Sequence, residues 1–158
     1  MEDEGRAARA GPEGGEDRMS RVTPPDMEAW LTEYLRAELF AEGLDVQVAN
    51  KEPKTLTTPL KRPLVVIRDD SGSRMDWVTF DRSLGVSVLA GTRADDKKAN
   101  DLARLVASIL GDDAIATVHG SPIAAVEWDG CNGPWAVLDD HDVARRYMTV
   151  QYTVIGAY

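Results

Sequence analysis

The sequence contains very little cysteine and histidine. Cys131 is its single cysteine, and its two histidines are His119 and His141. One cysteine excludes a disulfide within the chain and a zinc site built from several cysteines. A chain without disulfides suits the reducing interior of a cell. The sequence also lacks the glycine-rich motifs of phosphate and dinucleotide sites and the paired-cysteine motif of thiol redox sites.

Long apolar runs are missing as well. No apolar stretch reaches the roughly 18 residues that a transmembrane helix needs. The first residues do not show the basic and then apolar layout of a secretory signal. We therefore expect synthesis in the cytoplasm and no membrane partner.

Positive charge is scarce relative to negative charge. The chain has 18 lysines and arginines against 27 aspartates and glutamates, a net charge of −9 at pH 7. Nonspecific binding of nucleic acid depends on basic side chains that neutralise phosphates, so the balance argues against it. An acidic surface facing DNA would instead repel it and let it pass without adhering.

The length of 158 residues suits a single domain with a core of its own. Residues 1–22 mix charges with glycine and proline and contain no aromatic side chain. Such a segment buries too little apolar area to order itself, so we predict a flexible N-terminal arm. Residues 23–158 are predicted to form one α+β domain.

The clearest local pattern is a strand, a turn and a helix within residues 84–110. Apolar residues alternate up to Ala90, and Gly91 ends the predicted strand. Thr92 and Asp95 form a variant of the capping box, which predicts that a helix begins at Thr92. An apolar stripe follows, and its members are Leu102, Leu105, Val106, Ile109 and Leu110.

The remaining segments predict one more helix and several strands. Helical spacing of apolar residues begins at Met27 and ends at Gly43. The last strand is the longest, with Met148, Val150, Tyr152 and Val154 on one side and Thr149, Gln151 and Thr153 on the other. The sum is an α+β fold, a mixed or antiparallel sheet with two α-helices packed on it. The predicted strands cover 44–48, 63–68, 75–82, 83–90, 114–118, 123–128, 135–138 and 146–157.

Residues with the chemistry of a reactive site are few and scattered. Residues 139–142 (DDHD) could offer metal ligands, but adjacent residues on one turn rarely converge on one ion. His119 precedes Gly-Ser-Pro without the motif of a nucleophile elbow. Cys131 has no neighbouring base in the sequence to lower the pKa of its thiol. We predict no catalytic site, no cofactor and no bound metal.

Large aromatic side chains are numerous for a domain with two helices. Aromatic residues are enriched at the centres of protein interfaces, so part of this set is expected at a subunit contact and the rest in the core. The predicted contact residues are Trp135, Tyr147 and Tyr152. A polar loop at residues 50–62 carries Lys51, Lys54 and Lys61, which are predicted to dock on acidic neighbours; a merely solvated loop is the alternative.

Three stretches carry a resemblance to a known family. They are PDMEAWLTEYLRAEL with the following LDVQV, then SLGVSVLAGTRADDKKANDLARLVASIL, and finally RRYMTVQYTVIGA. In the order and polarity of these elements the chain resembles the tail terminator proteins of long-tailed bacteriophages of the siphovirus type. The resemblance covers most of residues 25–158 and none of the N-terminal arm, which would either reach a neighbouring subunit or be absent from the mature protein.

The resemblance implies a structural virion protein and not an enzyme. Tail terminators form a homo-oligomeric ring, typically a hexamer, that caps the tail tube and joins it to the head and neck. The implied partners are the tail tube protein and the connector proteins of the neck, with DNA passing through the lumen. The implied location is the virion, at the head–tail interface.

Two other interpretations stay open. The nearer is another head–tail joining or tail-completion protein with a similar build but a different position in the particle. The more distant is a small cytoplasmic α+β enzyme.

Overall fold

The computed structural model describes residues 21–158, which form two α-helices and six β-strands. The helices are α1 (Met27–Ala41) and α2 (Lys97–Leu110). The strands are β1 (Gln47–Ala49), β2 (Leu64–Ser71), β3 (Thr79–Ala90), β4 (Ile123–Val126), β5 (Asn132–Val137) and β6 (Ala144–Ile155). This composition confirms the predicted α+β class. No helix in the described range is both long and apolar enough to cross a bilayer.

All six strands belong to one sheet. Strands β1, β2, β3 and β6 lie side by side in that order. β1 runs parallel to β2 and every other pair is antiparallel, so the sheet is mixed. β4 and β5 both pair with β6 on the side away from β3. β4 lies along residues 152–154 of β6, and β5 lies along residues 145–149.

Helix α1 forms where the sequence predicts it. The Asp26 side chain accepts a hydrogen bond from the backbone N–H of Ala29 at 3.1 Å and so caps the first turn. Gly43 follows the helix with φ 76°, a left-handed conformation that glycine adopts at little cost. The buried stripe consists of Met27, Leu31, Leu35 and Leu39.

The main core lies between one face of the sheet and the two helices. Leu84, Val86 and Val88 of β3 point into it, which confirms the alternation predicted for that strand. α1 contacts β1 and β2, whereas α2 contacts β3, β5 and β6. Strand β6 supplies the same face with Met148, Val150, Tyr152 and Val154, as predicted.

The opposite face of the sheet is covered in part by the loop at residues 50–62. Leu56 from this loop is buried against Leu64, Val66 and Leu89 in a second, smaller apolar cluster. Strand β6 presents Thr149, Gln151 and Thr153 to the rest of this face, together with the ring of Tyr147. We call this side the helix-free face.

Helix α2 begins later than the sequence predicts. Thr92 accepts a hydrogen bond from the N–H of Asp95 on its side chain at 3.1 Å and donates its own N–H to the Asp95 carbonyl at 3.2 Å. These two bonds close a turn before the helix, and the helix itself starts at Lys97 after Asp96. The prediction of a start at Thr92 was wrong because the capping pattern belongs to this turn.

Two strand predictions also need correction. Residues 113–117 form a 3₁₀ turn, capped by Asp112, and its Ile115 is fully buried. Residues 79–90 form one continuous strand, so the predicted break between 82 and 83 does not exist. The chain between β2 and β3 turns around Asp76, which accepts hydrogen bonds from the N–H groups of Val78 and Thr79.

The boundary between the predicted arm and the domain lies slightly earlier than expected. Of residues 1–22, only Arg21 and Val22 fall inside the described range. Val22 is buried in the core, and Thr23 exchanges two backbone hydrogen bonds with Ala157 at 2.8 and 3.0 Å. Val22 therefore belongs to the domain. The prediction for residues 1–20 lies outside the described residues.

Candidate subunit interface

The outer edge of β5 exposes apolar side chains. Trp135, Val137 and Leu138 are 44%, 38% and 95% exposed. In the described part of the chain β5 pairs with β6 alone, so its second side has no strand beside it. Soluble proteins usually protect such an edge with charged residues, proline or a bulge. The first half of β5 has Pro134 and an irregular register between Asn132 and Trp135, whereas residues 135–138 contain neither a charge nor a proline. We call Trp135, Val137 and Leu138 the β5 edge.

Two of the predicted contact residues meet at this edge. Trp135 and Tyr147 are cross-strand partners, and their rings pack edge to face with centroids 5.4 Å apart and planes at 71°. The Tyr147 hydroxyl donates to the Asp70 carboxylate at 3.2 Å. Burial and the negative charge of Asp70 raise the pKa of the Tyr147 phenol. Tyr147 is thus anchored on the sheet, while Trp135 lies against it with nearly half its surface open.

The third predicted contact residue, Tyr152, is not at the surface. Its side chain is fully buried, and its hydroxyl donates to the backbone carbonyl of Leu110 at 2.7 Å. Burial raises the pKa of this phenol well above its ordinary value. Tyr152 therefore ties the end of α2 to β6 inside the core. Its assignment to a subunit contact is corrected, because β6 points it to the same face as Met148 and Val150.

The three predicted docking lysines lie on the surface of the loop at residues 50–62. Lys51, Lys54 and Lys61 are all exposed. The loop itself is held to the sheet by the buried Leu56 and by an ion pair between Glu52 and Arg145 of β6. The lysines therefore lie on a loop that is fixed to the sheet. Lys51 precedes Glu52, whose ion-pair partner Arg145 lies opposite Val137 of the β5 edge.

The carboxylate of Asp139, just after β5, fixes the turn that connects β5 to β6. Asp139 accepts hydrogen bonds from the backbone N–H of His141 at 2.9 Å and from the Arg145 guanidinium at 2.8 Å. The ring nitrogen Nδ1 of His141 also lies 2.9 Å from it. Burial alone would raise the pKa of Asp139, but the hydrogen bonds from His141 and Arg145 outweigh it and hold the value at about 2. Because Arg145 also binds Glu52, one guanidinium joins the loop at residues 50–62, β6 and the turn after β5.

The opposite end of the sheet contains a groove between α1 and β1, with a volume of about 560 Å³. Its apolar lining includes Phe40, which is 82% exposed, and Leu44, which is 40% exposed. Arg36 crosses the groove and donates to the Val48 carbonyl at 2.7 Å. Arg62 stands at its rim and pairs with Asp45 at 3.1 Å. We call this the α1–β1 groove.

Neither this groove nor Val137 and Leu138 of the β5 edge was predicted from the sequence. One feature of the groove, the exposure of Phe40, could have been predicted. Phe40 falls outside the stripe of Leu31, Leu35 and Leu39, so helical periodicity alone places it toward solvent. The apposition of α1 with the edge of β1 depends on tertiary packing, which no local pattern encodes.

Residues 21–158 show little sign of a metal site or of an activated nucleophile. No group of three or more His, Cys, Asp or Glu side chains in residues 21–158 is arranged to hold a metal ion. His119 is exposed on a loop, and the partly buried thiol of Cys131 lies 3.4 Å from the Glu127 carbonyl.

Comparison with known proteins adds no relative. No protein-family model matches the sequence, and no curated protein is significantly similar to it.

Proposed function

We propose that this chain is a structural virion protein of the tail terminator type. Copies of it would form a ring, a hexamer in the form typical of such proteins, that caps the tail tube and joins it to the neck of the particle. The observation that carries the proposal is the β5 edge, where Leu138 is 95% exposed and Trp135 44% exposed. A group of exposed apolar side chains on an edge strand is a surface that a chain acting alone would be expected to cover or lack.

The element order supports the particular kind of assembly. Three features resemble tail terminators: α1 with the short strand after it, β3 followed by α2, and the long closing strand β6. The mixed sheet with both helices on one face leaves a helix-free face and two differently built edges. A subunit with two such edges is suited to contacts that repeat around an axis.

The charge of the chain fits a ring through which DNA passes. A net charge of −9 disfavours adhesion to phosphates, and in this proposal the wall of the lumen is acidic. The exposed Lys51, Lys54 and Lys61 would contact acidic surfaces of the tail tube protein or of the neck connectors. The proposal requires no cofactor, no catalytic step and no membrane, and places the protein at the head–tail interface of the virion.

The test is an assembly reaction with the tail tube protein of the same phage. The purified full chain is added to polymerising tubes, and tube lengths and tube ends are measured by electron microscopy. We expect a ring density at one end of each tube and an arrest of elongation. Binding to the neck connector without binding to tubes would favour a different head–tail joining protein. Association with neither component would contradict both phage interpretations.

A further inference from the structure

We propose that the two ends of the sheet are complementary surfaces and that the β5 edge of one copy docks in the α1–β1 groove of the next. This inference rests on the proposed function, because it names the contact that would close the ring. The occupant of the groove is a second copy of this chain.

The two surfaces differ in shape in the way that such a contact requires. The β5 edge projects, since Leu138 follows the strand with 95% of its side chain exposed. The α1–β1 groove is concave, with a volume of about 560 Å³, and exposes Phe40 and Leu44. Seating Val137 and Leu138 against these two residues would remove the apolar surface of both ends from water.

The charges around the two surfaces are also complementary. The turn after the β5 edge presents Asp140 and Asp142 in exposed positions, beside the more enclosed Asp139. Arg93 lies against the same turn, where its N–H donates to Asp142 and its guanidinium donates to the carbonyls of Asp139 and His141, so Asp140 is the carboxylate most open to a neighbouring copy. The α1–β1 groove carries Arg36 in its wall and Arg62 at its rim. Arg62 pairs with the exposed Asp45, and Lys61 stands next to it in the sequence. Basic side chains at the groove would therefore meet carboxylates from the neighbouring copy, which favours this orientation of docking.

The contact would be made through side chains and would not extend the sheet. Gln47 gives its N–H to the carbonyl of Pro63, the residue before β2, at 2.9 Å, so the backbone groups of the next residue, Val48, point to the outer side of β1. The Val48 carbonyl already accepts a hydrogen bond from Arg36. The outer side of β1 is thus protected by an arginine.

The β5 edge and the α1–β1 groove lie on opposite sides of the sheet, so the same contact can repeat from one copy to the next. β1 and β5 are the outermost strands on opposite sides of β2, β3 and β6, roughly 19 Å apart at about 4.8 Å per strand. Because the surfaces are different, each copy would use one surface for the copy before it and the other for the copy after it. Such head-to-tail contacts generate rings when the rotation closes.

Disulfide trapping tests the inference. In a Cys131→Ser background, Val137→Cys and Gln47→Cys are made as separate variants, mixed at equal concentration and oxidised. We expect disulfide-linked dimers in the mixture and in neither variant alone, and a ladder of linked subunits when both substitutions are in one chain. Gln47→Cys mixed with Ser73→Cys, at the exposed turn between β2 and β3, is the matched control and should give none. If the first pair of substitutions disturbs assembly, a second pair, Leu138→Cys with Leu44→Cys, repeats the test.

The outcomes separate this inference from the proposed function. Dimers from Val137→Cys alone would show that the β5 edges pair with each other and would overturn the head-to-tail contact. Rings of the expected mass without cross-links from either pair would overturn the inference and leave the proposed function standing. An unmodified chain that forms no ring would instead contradict the proposed function itself.

Discussion

The hydroxyl of Tyr147 on β6 donates to the carboxylate of Asp70 on β2 at 3.2 Å, across the strand that separates them. The intervening residue on β3 is Gly85. A Cβ atom at this position would lie 2.3 Å from the Tyr147 hydroxyl oxygen and 2.6 Å from an Asp70 carboxylate oxygen. The missing side chain of Gly85 therefore makes room for the phenol that supports Trp135.

Gly85→Ala is expected to destabilise the fold. An alanine in a strand is ordinarily favoured over glycine, but here its methyl group would collide with Tyr147 and displace it. We expect a loss of about 1 kcal/mol in the free energy of unfolding, at the low end for overpacking, because the Tyr147 and Asp70 side chains are not fully buried and can shift; urea denaturation measures it. Ser87→Ala, on the same face of β3, is the control and should change stability by less than about 0.5 kcal/mol.

The cost of Gly85→Ala should depend on Tyr147. In a Tyr147→Ala background the methyl group has room, so the same substitution should be close to neutral. A double-mutant cycle with a coupling energy near zero would contradict this account of Gly85.

Tyr152→Phe is expected to lower stability without a specific effect on assembly. The substitution removes the hydrogen bond to the Leu110 carbonyl, a buried acceptor at the end of α2. An unsatisfied buried group costs about 1–3 kcal/mol, which urea denaturation would detect. Tyr147→Phe removes a hydroxyl from a partly exposed ring and is the matched control, with a smaller expected loss. Equal losses for the two variants would argue against a distinct role of Tyr152 in the core.

The sequence predicted the core more successfully than the surface. The alternation of Met148, Val150, Tyr152 and Val154 gives the buried face of β6 without any tertiary information, and it also assigns Tyr152 to the core. The count of aromatic residues led to the opposite assignment, because a count ignores which face of the strand each ring occupies.

Other features could not be obtained from the sequence because they depend on distant contacts. The strand predicted at residues 114–118 (AIATV) is too short for its periodicity to distinguish a strand from a helical turn. Arg145 contacts Glu52 from the loop at residues 50–62 only after β6 has paired in the sheet. The exposure of Leu138 follows from the position of β5 at the edge of the sheet, and strand order is not visible in the local sequence.

Asp139 is expected to make the free energy of unfolding depend on pH in the acidic range. Its pKa is about 2 in the folded protein against an ordinary 3.8, so the folded state favours the ionised carboxylate. The stabilisation is present above the ordinary pKa and is lost as the pH falls toward about 2. Asp139→Asn should therefore lower the free energy of unfolding near neutral pH by about 1–2 kcal/mol, through the weakened bond with Arg145.

The difference between the parent chain and Asp139→Asn is the measurement that isolates this carboxylate. It should be present at neutral pH, shrink below about pH 4 and nearly vanish near pH 2. Asp129→Asn, at an exposed turn, is the control and should leave stability almost unchanged. A difference that stays constant down to pH 2 would contradict the depressed pKa of Asp139.

Trp135→Ala is expected to weaken association between subunits more than it weakens the fold. Trp135 packs on Tyr147 with 44% of its surface exposed, and aromatic residues in such positions often dominate binding energy. We expect at least a tenfold rise in the dissociation constant, measured by sedimentation velocity. Trp77→Ala, which removes another exposed tryptophan at the turn between β2 and β3, should leave association unchanged. Equal effects of the two substitutions would show that the β5 edge has no special part in assembly.

The mass of the purified full chain in solution, measured by native mass spectrometry across a range of concentrations, shows whether the chain assembles with itself. We expect a closed assembly of defined stoichiometry, six copies in the form typical of tail terminators, with Leu138→Asp shifting it toward the single chain. A chain that stays monomeric at high concentration, also in the presence of the tail tube protein, would contradict this expectation.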